Sequence, residues 1–244
     1  MSVYSPPVPD FQRAAAAAPL PRMTAVAEAD WFRIDASYAA QLAEKAGIID
    51  AHGAAALDAL PGSEAAQDEL LDLALGWMAR RDGFDVRGDA VVRPDGVRVA
   101  VERGAPLLTL SRLVQEDVCL IERRDGAQVL TAAILGFPSG WTLSEKLGRS
   151  MNRIHAPVRA WDQAVSRRAG RIFDNLPPGR ILGRANLHRE TCSDLWMARR
   201  EAEPKPDRAG TEARWERSEW QTLRRLPRTG ALVFTIHVSV VPLG

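Results

Sequence analysis

Two cysteines in 244 residues leave no basis for a disulfide-stapled scaffold. Cys119 and Cys192 stand in no CxxC and in no Cys/His spacing of the zinc type, which speaks against a structural metal site or a self-contained thiolate-bound iron–sulfur cluster. No apolar run approaches the ~20 residues that cross a bilayer, and the first ten residues lack the charged and apolar regions of a signal peptide. The expected compartment is therefore the cytoplasm. An excess of one charge is also missing, with Lys+Arg 32 against Asp+Glu 31 and a formal net charge of +1. Neither nucleic acid nor a membrane surface is an expected partner on bulk charge. There is no GxSxG, no HExxH, no Walker A and no GxGxxG after a strand, and no internal repeat.

What is present is an ordinary globular composition, 46% hydrophobic and 26% charged, enough to bury one sizeable core. Residues 1–22 form a Pro/Ala-rich arm in which Pro6, Pro7, Pro9, Pro19 and Pro21 block a continuous helix. Its alanine run offers no amphipathic face for docking. Residues 23–244 read as one domain. Tyr38, Leu42, Ala46 and Ile49 recur with helical spacing behind Asp35 as the expected N-cap. Ser63, Glu64 and Gln67 open a second helix with a broad face of Leu70, Leu71, Ala74, Trp77 and Met78, which is core before it is chemistry.

From Val86 to Val101 the period changes to two around a Pro94-Asp95-Gly96 turn, predicting a hairpin. Val118–Ile121 and Val129–Phe137, joined through Arg124-Asp125-Gly126, predict two more strands of a small antiparallel sheet. A short helical stretch from Ser144 to about Ile154 ends at His155 and Pro157. A second helix over 160–176 is basic on one side through Arg167, Arg168 and Arg171. Residues 199–210 read as an exposed loop, 215–226 as an aromatic and basic segment, and Ala231–Val241 as a closing strand.

Four histidines invite comparison. His52 reads as a surface residue and His188 as exposed or structural. His237, in Phe234-Thr235-Ile236-His237-Val238, points to the opposite side of its strand from Ile236 and Val238. His155 stands at a helix-to-loop boundary where Pro157 holds the backbone and apolar neighbours favour the neutral, metal-binding imidazole. The Glu116-Asp117 pair points two ways if its segment is a strand, so shared acid–base work by the two is not expected. Arg217, Arg224, Arg225 and Arg228 suit a nucleic-acid patch, a carboxylate clamp or a solvated face, the last being the commonest fate of such clusters.

Five motifs occur in order. They are Leu113-Val114-Gln115-Glu116-Asp117, Phe137-Pro138-Ser139-Gly140-Trp141, Glu145-Lys146-Leu147-Gly148, Ile154-His155-Ala156-Pro157-Val158, and the run from Gln221 to Gly230. Together they resemble the haem-dependent oxidative N-demethylase alpha-subunit-like family over nearly the whole chain.

The resemblance implies an α+β, PAS-like antiparallel sheet flanked by helices that enclose a b-type haem. It implies a monooxygenase component that removes a methyl group from a small amine with O2, with electrons from NAD(P)H arriving through flavin and iron–sulfur partner proteins. Homo- or hetero-oligomers are compatible with it. Carried over by position, His155 is the axial ligand and Pro157 fixes its approach. Arg217, Arg224 and Arg225 are candidates for pairing with haem propionates, and Glu219 for holding a substrate ammonium or relaying protons. Catalytic roles fall to Glu219, His237 and Arg224. The chain departs from the family where His237 and Ser239 replace an Arg and a nearby Tyr, and where Asn186-Leu187 replaces an Asn-Trp pair. As a second axial ligand, His237 would make the protein a non-catalytic haem sensor or electron carrier. A subunit that has lost haem is the third reading.

Overall fold

The computed structural model describes residues 5–20, 22–158, 160–204 and 211–243. Its frame is a seven-stranded antiparallel sheet in the spatial order β1-β8-β9-β10-β6-β7-β2. The outer strands β1 (Thr24–Val26) and β2 (Leu57–Ala59) are short, whereas β6 (Asp117–Arg124), β7 (Ala127–Ile134), β8 (Ile181–Glu190), β9 (Trp215–Arg225) and β10 (Leu232–Pro242) form the body. The β6–β7 hairpin closes on Asp125 and Gly126 with φ of 48° and 79°. Positive φ at both central residues is the turn whose twist matches the flanking strands, and Asp-Gly is a pair that tolerates it. Strands β3 (Asp85–Arg87), β4 (Ala90–Val92) and β5 (Arg98–Ala100) make a separate three-stranded sheet around the expected Pro94-Asp95-Gly96 turn.

Because side chains alternate along a strand, the registers sort β9 cleanly. Arg217, Glu219, Gln221, Leu223 and Arg225 share one face with Arg184 and Asn186 of β8 and with Phe234 of β10. The other face carries Ser218, Trp220, Thr222 and Arg224 beside His237 and Ser239. Helices α3 (Glu64–Met78) and α4 (Pro106–Ser111) cover the second face, burying Leu70, Leu71, Trp77, Met78 and Leu110 against Val118, Leu120 and Val233. The first face is covered by α5 (Leu143–Lys146), α6 (Met151–His155) and α7 (Gln163–Asn175), packed on Cys119, Ile121, Leu223 and Leu232. We call these the α3 face and the α7 face.

Several expectations shift. Residues 10–17 of the arm form helix α1, which docks on the α3 face although its alanines have no apolar stripe. Polar contacts replace that stripe: Gln12 is fully buried and donates to Ser218 Oγ at 2.6 Å, Arg13 pairs with Glu216, and Phe11 meets Trp220 edge-on. Helix α2 (Tyr38–His52) begins after Ser37, not Asp35. Asp35 accepts from the Ser37 N–H and hydroxyl through Oδ1, freeing Oδ2 to turn inward. The 160–176 helix begins only at Gln163, behind Asp162, whose carboxylate accepts from Val165 N at 2.7 Å. Of the expected 199–210 loop, residues 205–210 lie outside the described residues, and Arg200–Pro204 are exposed. Strand β8 and the strand character of 215–225 are additions to the expected sheet.

The Glu116-Asp117 pair does diverge. Asp117 turns to Gly136 and Phe137, accepting both backbone N–H groups at 2.8 Å, while Lys45 stands 3.8 Å away. The Lys45 ammonium is fully buried and donates to the carbonyls of Val114, Gln115 and Glu116, satisfying its three protons. This pin requires a glycine at 136, where an added Cβ would sit 2.8 Å from Lys45 Cγ. Gly136→Ala is expected to cost about 1–3 kcal/mol by overpacking, read as a lower urea midpoint at unchanged slope. An unchanged midpoint would contradict the packing described.

Candidate functional site

His155 is the last residue of α6 and is half-buried against the α7 face. Its Nδ1 lies 2.8 Å from the carbonyl of Met151, one helical turn back. A carbonyl only accepts, so this contact fixes the proton on Nδ1 and leaves the Nε2 lone pair bare. Burial lowers its pKa from the ordinary histidine value, the Lys146 and Arg184 charges act in the same direction, and the Met151 carbonyl opposes them. The imidazole is thus neutral at pH 7. Trp161 stacks on it at 3.9 Å between centroids, 14° from parallel, which locks the ring plane. Pro157 lies exposed in the turn after α6, where Val158 N donates to the His155 carbonyl.

Within electrostatic reach of His155, the same sheet face carries a polar array at its centre. Arg184 donates to Gln221 Oε1 and to Asn186 Oδ1, both at 2.9 Å. The amide nitrogens of those same residues donate to Glu219 Oε2, at 3.1 Å from Asn186 and 3.0 Å from Gln221. Two amides therefore hold a cation and a carboxylate apart in one layer, instead of letting them collapse into a direct ion pair. Burial lowers the Arg184 pKa and the Glu219 charge opposes that shift.

Glu219, Arg217 and Arg225 lie on the α7 face, the side on which α6 carries His155, whereas Arg224 and His237 lie on the other face. Arg217 is 1% exposed, but its guanidinium is occupied by the carbonyls of Phe137, Asp194 and Leu195. Arg225 likewise donates to the carbonyls of Phe173, Leu176 and Gly230, clamping the end of α7 to the β9–β10 turn. Both arginines act as staples, and neither offers a spare fork for a carboxylate.

Arg224 and His237 lie on the α3 face. Arg224 stacks over Trp31 at 4.2 Å and pairs with Glu28 at 2.9 Å. His237, 1% exposed, sits between two carboxylates, with Nδ1 3.1 Å from Glu116 Oε1 and Nε2 3.2 Å from Asp35 Oδ2. Burial opposes its protonation, but the hydrogen bonds and charges of Asp35 and Glu116 outweigh burial and raise its pKa above the ordinary value. With both nitrogens engaged, it has no lone pair for iron, so the geometry corrects the reading of His237 as a second axial ligand. The physical reason is the inward turn of Asp35 together with Glu116. Neither carboxylate could be paired with residue 237 from sequence alone.

Sequence reasoning missed Arg184 and Trp161. Trp161 gives no pattern signal. Arg184 stands two residues before Asn186, a spacing that shares a face only once the segment is known to be a strand.

A haem held by one imidazole needs an unengaged ring nitrogen, and His155 Nε2 has no partner among the described residues. Leu147, Met151, Ile154, Phe173, Leu182 and Phe234 pack together on the α7 side of the sheet. A buried indole N–H of Trp161 lacks a partner among the described residues. A largely polar cleft of about 280 Å³ opens beside it between the β6–β7 turn and α6–α7, where Arg123, Gln128, Asn152 and Asp174 join Trp161 and Phe173; His155, Arg184 and Glu219 do not line it.

The architecture is that of an α+β protein built on a large antiparallel sheet. The chain belongs to the haem-dependent oxidative N-demethylase, alpha subunit-like family, whose pattern it matches over residues 22–244. The family description makes it an oxidoreductase subunit with haem dependence. No helix among the described residues is long and apolar enough to cross a membrane.

Proposed function

We propose that this chain is the haem-carrying oxygenase component of an oxidative N-demethylase, holding a b-type haem through His155 Nε2 in the layer between α5–α7 and the sheet. The observation that carries the reading is the fixed tautomer of His155 on the face that also bears Arg184 and Glu219. A PAS-like description is supported by topology: the five long strands, numbered in chain order from β6, lie in the order 3-4-5-1-2, and the connection between the second and third carries α5–α7.

When bound, a haem held by His155 would supply a redox-active iron for O2 chemistry. The residues supply the rest. Met151 orients the ligand ring, and its carbonyl makes the imidazole a stronger donor. Trp161 fixes the ring plane, and Leu182 and Phe234 exclude water. Glu219 receives the ammonium of a small amine or passes a proton, with Asn186 and Gln221 holding its carboxylate still. Arg184 adds positive charge one residue pair away. The overall change consumes one N-methyl amine, one dioxygen, two electrons and two protons, and gives the demethylated amine, formaldehyde and water. One oxygen atom ends in the formaldehyde and the other in the water. The reaction requires an electron source, which the proposal assigns to NAD(P)H acting through flavin and iron–sulfur partner proteins in the cytoplasm.

Haem-loaded protein supplied with a reductant and a panel of methylated amines is expected to release formaldehyde in step with amine loss. Glu219→Gln should slow this by about 10²–10⁴-fold while leaving the haem spectrum unchanged. Absence of formaldehyde from every amine would contradict the proposal.

A further inference from the structure

Charge on this molecule is unevenly distributed. The sequence from 149 to 184 contains eight arginines and two aspartates, in a chain whose total is +1. Neither aspartate neutralises the arginines of α7, because Asp162 caps that helix and Asp174 pairs with Arg123 of the hairpin. Elsewhere arginines are mostly matched, as in Arg80–Glu28, Arg87–Asp85, Arg98–Asp89 and Arg112–Glu102. Arg149, Arg167, Arg168, Arg171 and Arg180 are exposed and appear in no ion pair among the described residues; the same holds for Arg22, Arg189, Arg200 and Arg214, but only on α7 do three such arginines fall within one and a half helical turns. Arg167 and Arg171 are one helical turn apart with Arg168 beside them, while Val165, Ala169 and Ile172 turn to the core. The result is an unpaired basic face on α7, a helix that neighbours α6 through the Ser166–Asn152 hydrogen bond and shares with it and Trp161 the walls of one cleft.

We propose that this arginine face is the docking surface for a small acidic electron-transfer protein. The partner's redox role rests on the reading of His155 given above, whereas the binding itself does not. An acidic patch meets three unpaired guanidiniums on α7 here, and long-range attraction steers and orients its approach. The docked partner would lie against the cleft bordered by Trp161, whose ring stacks on His155. A one-electron carrier of this kind docks twice per turnover and is oxidised by one electron each time, supplying the two electrons that the O2 reaction consumes. A nucleic acid is the poorer match. The rest of the chain carries a net negative charge that repels a long polyanion, and the half-buried aromatics Trp161 and Phe173 are not presented for base stacking.

The test uses the full chain and a plant-type [2Fe–2S] ferredoxin, an acidic one-electron carrier, as the probe. Affinity is measured at about 0.02 M and about 0.3 M salt, spanning weak and strong screening. The expected result is binding at low salt that weakens roughly tenfold at high salt and roughly tenfold in the Arg167→Glu/Arg168→Glu/Arg171→Glu variant. A control variant with Arg80→Glu, Arg87→Glu and Arg98→Glu should stay within about twofold, as distant exposed charges do. Melting curves and an Arg→Gln version of the triple variant guard against misfolding.

Undiminished ferredoxin binding in both triple variants, or no ferredoxin binding at low salt, overturns the proposal. So does tighter binding of a single-stranded RNA of about 20 nucleotides lost in the same variants, which would make the face a nucleic-acid site. The haem-free chain is expected to bind ferredoxin as the loaded one does. If haem never loads but binding behaves as stated, the oxygenase reading fails and the docking surface stands.

Discussion

Replacing Asp117 with alanine is expected to lower the melting temperature by about 10 °C or more, the largest single loss this fold offers. The carboxylate accepts two backbone N–H groups, from Gly136 and Phe137, and is the nearest countercharge to an ammonium buried at 0% exposure. Removing one member of a buried pair costs roughly 3–5 kcal/mol because the other charge stays behind unpaired. Orphaned donors add about 1–3 kcal/mol each. For a chain of this size, each kcal/mol is worth about 2–4 °C. Asp117→Asn keeps an acceptor for one N–H and should lose less. Thermal unfolding followed by circular dichroism measures both, and equal melting temperatures for wild type and Asp117→Ala would contradict this account.

His237→Ala is expected to produce the second large loss, and one that depends on pH. The imidazole has its pKa raised by Asp35 and Glu116 against the opposing effect of burial. A raised histidine contributes stability that is complete below the ordinary histidine value and is lost as pH rises through the folded value. Asp35 behaves oppositely. Burial would raise its pKa, but the His237 bond and charge, with Ser37 and Gln115, hold it well below the usual carboxylate range. Its contribution is present above the ordinary aspartate value and is lost as pH falls through the depressed one. The wild type should therefore be most stable relative to His237→Ala between about pH 4 and 6.5, the two unfolded values. There the gap is roughly 3–5 kcal/mol, and it narrows as pH rises further. A gap that widens above pH 7 would show that the buried imidazole is neutral and that the two carboxylates do not charge it.

These two predictions rest on contacts that the sequence leaves hidden, although other parts were legible in it. Helix α3 and the β6–β7 hairpin follow from Ser63 with its Leu/Trp face and from the Asp125-Gly126 turn, because local periodicity and turn chemistry specify them. Strand β8 was illegible: Ile181–Glu190 contains one β-branched residue, and its strand is imposed by pairing with β1 and β9. Strand β9 hides behind charge, since Arg217, Glu219 and Arg224 are polar residues held inside by partners far away in sequence. Once 215–225 is a strand, parity alone separates Glu219 from Arg224. Without it, the two arginines at 224 and 225 looked like one cluster, though they point to opposite faces. His155 was legible for a local reason, as a helix-ending imidazole before a proline. Its supporting carbonyl at Met151 is one helical turn away, while the charge of Arg184 reaches it only through the sheet.

His155 is expected to offer Nε2 to a haem on the α7 face. The most direct measurement is the visible absorption spectrum of protein expressed with haem precursor, recorded for wild type beside His155→Ala. A Soret band near one haem per chain is expected in the wild type, lost or markedly shifted in His155→Ala and retained in His237→Ala where that variant folds. A Soret band unchanged in His155→Ala, or one that depends on His237 instead, would contradict this expectation.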